Sequence, residues 1–166
     1  MDILWAPWRM KYVRYAALRR TKECFICEAA KKGVGEDSLV LFKGKYGIVQ
    51  MNLYPYNTGH LLVSPLRHVA LLSKLTREEL LALIRLVATS VEALRAALSP
   101  HGFNIGLNLG RVAGAGLEGH VHFHIVPRWE GDTNFMPVIA NTKVIPEAII
   151  DTYRRIREHA DVISEE

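Results

Sequence analysis

Cysteine is almost absent: Cys24 and Cys27 are the two thiols in 166 residues, which excludes a small fold stapled by several disulfides. No uninterrupted apolar run is long enough to cross a membrane. The most apolar stretch, Leu80 to Leu98, is broken by Arg85, Glu92 and Arg95 and reads as an amphipathic helix. The N-terminus carries Asp2, Arg9 and Lys11 and lacks the apolar core and small-residue cleavage site of a secretory signal, so a cytoplasmic protein is expected. Blocks of consecutive basic residues and basic-aromatic interleaving are missing too. The formal charge of +4 and pI near 9.2 therefore favour anionic ligands in general and carry no nucleic-acid motif. Internal repeats and low-complexity tracts are not apparent. With 49% hydrophobic and 23% charged residues, the chain has the composition of one compact domain over 1–166.

What the chain does have is His120-Val121-His122-Phe123-His124, followed by Ile125-Val126-Pro127-Arg128-Trp129. Side chains on a strand alternate faces, so three imidazoles at every second position share one face at spacings of roughly 7 Å. Imidazole serves as nucleophile, acid, base and metal ligand near neutral pH. One such histidine reads as the wet face of a surface strand; three in strict alternation read as a site. A purely metal-binding reading, with two of the three holding zinc, stays open on spacing alone.

Around this motif the elements alternate in kind. Ser38 to Phe42 and Gly47 to Met51 are β-rich runs joined by Lys43-Gly44-Lys45-Tyr46, a predicted hairpin, and Gly59 to Ser64 is the next predicted strand. Thr76-Arg77-Glu78-Glu79 is a capping box that opens a helix, with Leu80, Leu83, Ile84, Val87, Val91, Leu94 and Leu98 as its predicted core stripe. Ser99-Pro100-His101-Gly102 ends it. Phe103 to Leu109 is a predicted strand, a glycine-rich loop runs from Gly110 to Gly119, and Pro146 to Glu158 is a predicted helix with proline in its first turn. Residues 1–23, aromatic and basic, are expected to lie as an arm across the body. The pattern is α+β: a mainly antiparallel sheet of about five strands with one long helix and a C-terminal helix.

Gly114-Ala115-Gly116-Leu117-Glu118-Gly119 matches the dinucleotide pattern GxGxxG, but an alternating strand follows where that fold needs a helix. Gly114 and Gly116 remain candidates for a backbone cradle around a phosphate, beside the plainer reading of a tight connection. Cys24-Phe25-Ile26-Cys27 suggests a metal or redox pair, or two buried free thiols.

His120 to Val126 resembles the signature of the histidine triad family of nucleotide hydrolases and transferases. Asn52-Leu53-Tyr54-Pro55-Tyr56-Asn57-Thr58-Gly59-His60 resembles the strand-turn-strand segment of the same family. The flanks, Trp5-Ala6-Pro7-Trp8-Arg9 and Trp129 to Pro137, are similar to the microbial branch that contains diadenosine tetraphosphate phosphorylases.

The resemblance implies roles. His122 would be the nucleophile that becomes nucleotidylated, and His124 would bind the α-phosphate and stabilise developing charge. His60 would support the triad, Asn52 would contact the ribose hydroxyls and Asn108 the phosphates. For Asn52 a plain turn-forming role is the alternative. Cys24, Cys27, His68 and His120 would form a structural zinc site. Many relatives carry Gln-Ser or Gln-Thr where this chain has Gly116-Leu117, which leaves the leaving-group acid unassigned. The implied reaction is phosphorolysis of diadenosine tetraphosphate to ATP and ADP, with inorganic phosphate as acceptor, in a homodimer. Hydrolysis of nucleoside phosphoramidates or asymmetric dinucleoside polyphosphates is the nearest alternative. A non-enzymatic nucleotide-binding or zinc-stabilised interaction module is the alternative from another class.

Overall fold

The structure is a computed structural model and describes residues 24–140 and 143–166. The predicted N-terminal arm and the Trp5 to Arg9 motif lie outside the described residues. Helix α1 (Phe25–Lys32) leads into strands β1 (Val40–Lys43), β2 (Gly47–Met51) and β3 (Leu61–Pro65). The long helix α2 (Arg77–Leu98) follows, then β4 (Gly102–Leu107), β5 (Phe123–Arg128), the short α3 (Met136–Ala140) and α4 (Ile149–Arg157).

The five strands form one antiparallel sheet in the order β1-β2-β3-β5-β4. β5 therefore slots between β3 and β4, which puts the triad strand beside the strand that His60 introduces. Alternation gives the sheet two different faces. Val49, Met51, Leu61, Val63 and Ile125 meet Leu83, Leu86, Leu94 and Leu98 of α2 and Tyr153 and Ile156 of α4 in the main core. On the opposite face Val40 and Ile48 pack with Ile26 and Ala29 of α1. That second face also carries Gln50, Leu62 and His124 as successive register partners across β2, β3 and β5.

The capping box at the start of α2 forms as the sequence requires. Glu79 N–H donates to Thr76 Oγ1 at 3.2 Å, and Thr76 N–H donates to the Glu79 carboxylate at 2.8 Å. Arg67 grips the same carboxylate with two donors at 2.9 and 2.7 Å, tying the segment after β3 to the helix. The far end stops at Ser99, whose φ of 47° is left-handed.

Besides shifts of one or two residues at strand ends, three features differ from the expectation. The stripe of α2 is rotated: Leu80 and Ile84 are 38% and 55% exposed, while Ala82, Leu86 and Ala93 are buried. The helix is apolar over a wide arc, so its periodicity allows more than one docking angle, and contact with the sheet selects one. Pro146 precedes the last helix instead of opening it; α4 begins at Ile149, after Glu147 has accepted from Thr152 Oγ1 at 2.7 Å. β5 starts at Phe123, so His120 and His122 lie just ahead of the ladder.

Candidate active site

His122 and His124 face one another with ring centroids 4.9 Å apart and planes at 62°. That is closer than the alternation alone suggests, because His122 stands in the entry to β5, where Val121 N–H is tied to Val69 O at 2.7 Å instead of to a neighbouring strand. His122 Nδ1 lies 2.8 Å from the backbone carbonyl of His120. A carbonyl only accepts, so Nδ1 carries the proton and a neutral His122 keeps its lone pair on Nε2. Burial pushes the His122 imidazole below its ordinary value, and the carbonyl contact opposes this in part. Phe25, at the start of α1, presents itself edge-on at 6.4 Å from the His122 ring.

The second imidazole is oriented by a directional chain. Tyr56 N–H donates to His60 Nδ1 at 3.0 Å, so the proton of a neutral His60 sits on Nε2. That Nε2 is 3.0 Å from His124 Nδ1, which must then accept. A neutral His124 is thereby left with its proton on Nε2, pointing toward Asn108 Nδ2 at 3.5 Å. Two donors cannot pair, so at this distance the Asn108 amide is only in contact with His124, and its Nδ2 is turned to the Gly114 carbonyl. His60 is fully buried, and Tyr56 stacks on it at 4.7 Å.

Cys24, Cys27, His68 and His120 converge as well, with all four potential ligand atoms within 4.8 Å of one another. His120 Nδ1 lies 3.2 Å from Cys24 Sγ and 3.6 Å from Cys27 Sγ, and Cys27 Sγ lies 3.4 Å from His68 Nδ1. Bonds of ~2.0–2.3 Å in a tetrahedral zinc site separate the ligand atoms by about 3.3–3.8 Å, which these distances fit. His120 Nε2 donates to Pro65 O at 2.8 Å, freeing Nδ1 for a cation, as metal-binding histidines require. Burial also pushes the Cys24 thiol up to about 11, so an incoming cation displaces a proton there. Gly119 closes against this group: a Cβ there would sit 3.2 Å from His68 Nε2.

The remaining sequence candidates divide. Asn52 accepts from Tyr54 N–H at 3.0 Å through Oδ1 and sets Nδ2 3.3 Å from His60 Nδ1, so it forms the turn and touches the histidine chain. Asn108 lies beside His124 and also 3.5 Å from Gly114 O. Gly114 takes a φ of 89°, but its N–H is used on Arg111 O at 3.0 Å, so the amide offered as a phosphate donor points into the loop. Gly116 is exposed. The sequence reading passed over Phe25 and Tyr56, although both sit inside motifs it had marked. It also passed over Asp132, which accepts from Arg128 at 2.6 Å and from Asn57 at 2.9 Å and so joins the turn before His60 to the turn after β5. A cleft of about 350 Å³ between Leu98, Trp129 and Arg155 is lined by none of the histidines.

The HIT domain family matches residues 34–131, more than half of the chain. The chain belongs to the HIT family. A relative named AP-4-A phosphorylase, from Mycobacterium tuberculosis, is 41% identical over 156 residues, covering 91% of this chain and 80% of its own. The asymmetrical bis(5'-nucleosyl)-tetraphosphatase of Schizosaccharomyces pombe is 37% identical over 95 residues, covering 57% of this chain and 52% of its own. This HIT protein, like those relatives, is a nucleotide-processing enzyme. Its fold matches a zinc-bound histidine triad family protein of Mycobacterium smegmatis with a TM-score of 0.63 at 22% identity, covering 84% of this chain and 94% of that one.

Proposed function

We propose that this HIT enzyme transfers a nucleotidyl group from diadenosine tetraphosphate to inorganic phosphate through a covalent adduct on His122. The observation that carries the proposal is the His122 Nδ1–H held by the His120 carbonyl, which leaves Nε2 as a neutral nucleophile beside His124. In the first step the Nε2 lone pair attacks the α-phosphorus; the N–P bond forms, the P–O bond to the polyphosphate breaks, and ATP leaves. The adenylylated imidazole keeps its Nδ1 proton and a positive charge, which the carbonyl of His120 stabilises. In the second step a phosphate oxygen attacks the same phosphorus, the P–N bond breaks and ADP forms. His124, holding its proton at Nε2, donates to the α-phosphate oxygens as charge builds on them. Asn52 is assigned to the ribose, a reading supported by the second proton of its Nδ2 and the second lone pair of its Oδ1, which the turn leaves over. Asn108, beside His124, is assigned to the phosphates, and Gly114 and Gly116 to the loop next to them. The 41% identity to a protein named as AP-4-A phosphorylase supports phosphate as acceptor.

Cys24, Cys27, His68 and His120 are assigned to one structural zinc ion. Four protein ligands close the coordination sphere, so the metal anchors α1 to the segments after β3 and before β5 without entering the reaction. A homodimer is proposed as well, and β4, at the edge of the sheet with Ile105 48% exposed, offers a strand for pairing.

The test is incubation with diadenosine tetraphosphate, with and without inorganic phosphate, and separation of the products by chromatography. ATP plus ADP formed only with phosphate supports the proposal. Nucleotide release without phosphate makes water the acceptor. Turnover that survives His122→Ala would sink the covalent mechanism.

A further inference from the structure

Cys24 and Cys27 share the first turn of α1, Cys24 as its N-cap, and Glu28 N–H closes that turn on Cys24 O at 3.0 Å. Residues three apart in a helical turn have Cα atoms roughly 5 Å apart, inside the window of about 4.4–6.8 Å that a disulfide spans. The two sulfurs lie within 4.8 Å of one another, so rotation about the Cα–Cβ bonds closes the gap without moving the helix. Both cysteines are partly exposed and His68 beside them is exposed, which gives a small oxidant access. They are the only thiols of the chain.

The pair also borders the nucleophile from two sides. Phe25, between the thiols, stands edge-on at 6.4 Å from the His122 ring. His120 turns Nδ1 to the sulfurs at 3.2 and 3.6 Å, while its carbonyl holds His122 Nδ1–H at 2.8 Å. Ile26, the other residue between the cysteines, is fully buried with Ala29, Val40 and Ile48. Apolar contact therefore keeps α1 on the sheet whatever the state of the thiols, and a change there is felt at Phe25 and His120.

We propose that Cys24 and Cys27 form a reversible dithiol–disulfide switch, oxidised by a peroxide, that releases the structural cation and turns down the reaction at His122. The inference rests on the zinc assignment and the nucleotidyl transfer proposed above. One thiolate attacks a peroxide oxygen; an S–O bond forms, the O–O bond breaks, and hydroxide leaves and takes a proton to become water. The second thiolate attacks that sulfur; the S–S bond forms, the S–O bond breaks, and the second hydroxide leaves as water. Two electrons pass from the sulfurs to the peroxide, and solvent supplies both protons. A disulfide carries no negative charge for a cation, and two imidazoles are half of a tetrahedral set. Without the ion, nothing keeps the His120 proton on Nε2 toward Pro65 O, so the residue whose carbonyl orients His122 is no longer fixed.

The experiment exposes the zinc-loaded, full-length protein to rising hydrogen peroxide. Zinc release to a chromogenic chelator, the mass of the peptide holding both cysteines, nitrogen NMR of the His122 ring and turnover of diadenosine tetraphosphate are followed together. The expected result is loss of two hydrogens from that peptide in step with zinc release, averaging of the His122 tautomers, and a fall in turnover of about 10- to 100-fold. Dithiothreitol with zinc restores all four. Complete disulfide formation with turnover unchanged overturns the inference, as does zinc release that leaves the two sulfurs unbonded or that dithiothreitol does not reverse. Cys27→Ser is expected to lose no further activity to the same peroxide; inhibition equal to that of the wild type places the effect on another residue and overturns the switch. If that variant does not fold, the peptide mass and turnover of the wild type decide. Reduced protein that turns over no diadenosine tetraphosphate sinks the functional reading, and the switch then stands or falls on the disulfide, the zinc release and the His122 signal. A wild type that binds no zinc sinks the metal assignment and this inference with it.

Discussion

His60 Nε2 meets His124 Nδ1 at 3.0 Å across a separation of 64 residues in the chain. The proton direction of that contact is set one step further back by the Tyr56 amide, so a backbone N–H in the turn before β3 decides which nitrogen of a neutral His124 carries its proton. His60→Phe keeps an aromatic ring of similar size and removes both contacts. We expect kcat to fall by about 10²-fold with little change in KM, as for loss of a proton-orienting group. Wild-type kcat in a folded His60→Phe protein would remove the tautomer chain from the mechanism.

Zinc content and stability should move together. Purified protein is expected to contain one zinc per chain by elemental analysis, and Cys27→Ser or chelation is expected to lower Tm. Gly119→Ala places a methyl against His68 Nε2 and should speed zinc loss to a chelator without replacing any of the four ligands. Equal zinc release from wild type and Gly119→Ala, or metal-free protein of full stability, would contradict the assignment.

The C-terminal tail ends in a latch. The Glu165 carboxylate accepts from the N–H groups of Lys45, Tyr46 and Gly47 at 2.9, 2.8 and 2.5 Å, and Gly44 leaves the space it occupies. Three amides converging on one anion form a backbone nest. Glu165→Ala should cost about 1–2 kcal/mol of stability. In a chain of this size that is a fall in Tm of roughly 2–8 °C, readable by calorimetry. A smaller change than 1 °C would mean that the tail does not hold the hairpin.

Asp132 makes stability depend on acid. The Arg128 guanidinium holds its carboxyl down at about 2, against 3.8 for the unperturbed group. A group depressed on folding contributes stability that is complete above the unfolded value and disappears as pH falls through the folded one. The contribution, on the order of 1–2 kcal/mol once the half-exposed Arg128 is allowed for, should be full above about pH 5 and lost between roughly pH 4 and 2. Urea unfolding of wild type and Asp132→Asn checks this: the gap between them should narrow steadily over that window. A gap independent of pH would assign the effect to the neutral hydrogen bonds of Asn57 and Trp129.

Much of the fold could be read from local pattern. The capping box at Thr76 and Glu79, the β1–β2 hairpin and the antiparallel α+β class follow from interactions within a few residues, and the structure contains all three. The alternating histidines likewise marked a candidate site, and the structure brings the rings of His122 and His124 together. The docking angle of α2 was not legible, because Leu80 and Ile84 continue the helical period as well as Ala82 and Leu86 do. Nor could spacing reveal that Tyr56 orients His60 or that Glu165 closes on the hairpin.

Residue type and short-range period, then, decide which side chains are available: three imidazoles on alternate positions, two thiols one helical turn apart, an amide at Gln50. Which of them meet is a matter of tertiary structure. Cys24 reaches His120 over 96 residues and Glu165 reaches Gly47 over 118, and these contacts exist because sheet order and the two packed faces bring distant segments to one place. Their geometry depends on strand register and helix docking, which are settled by burial of the whole core and by no local repeat.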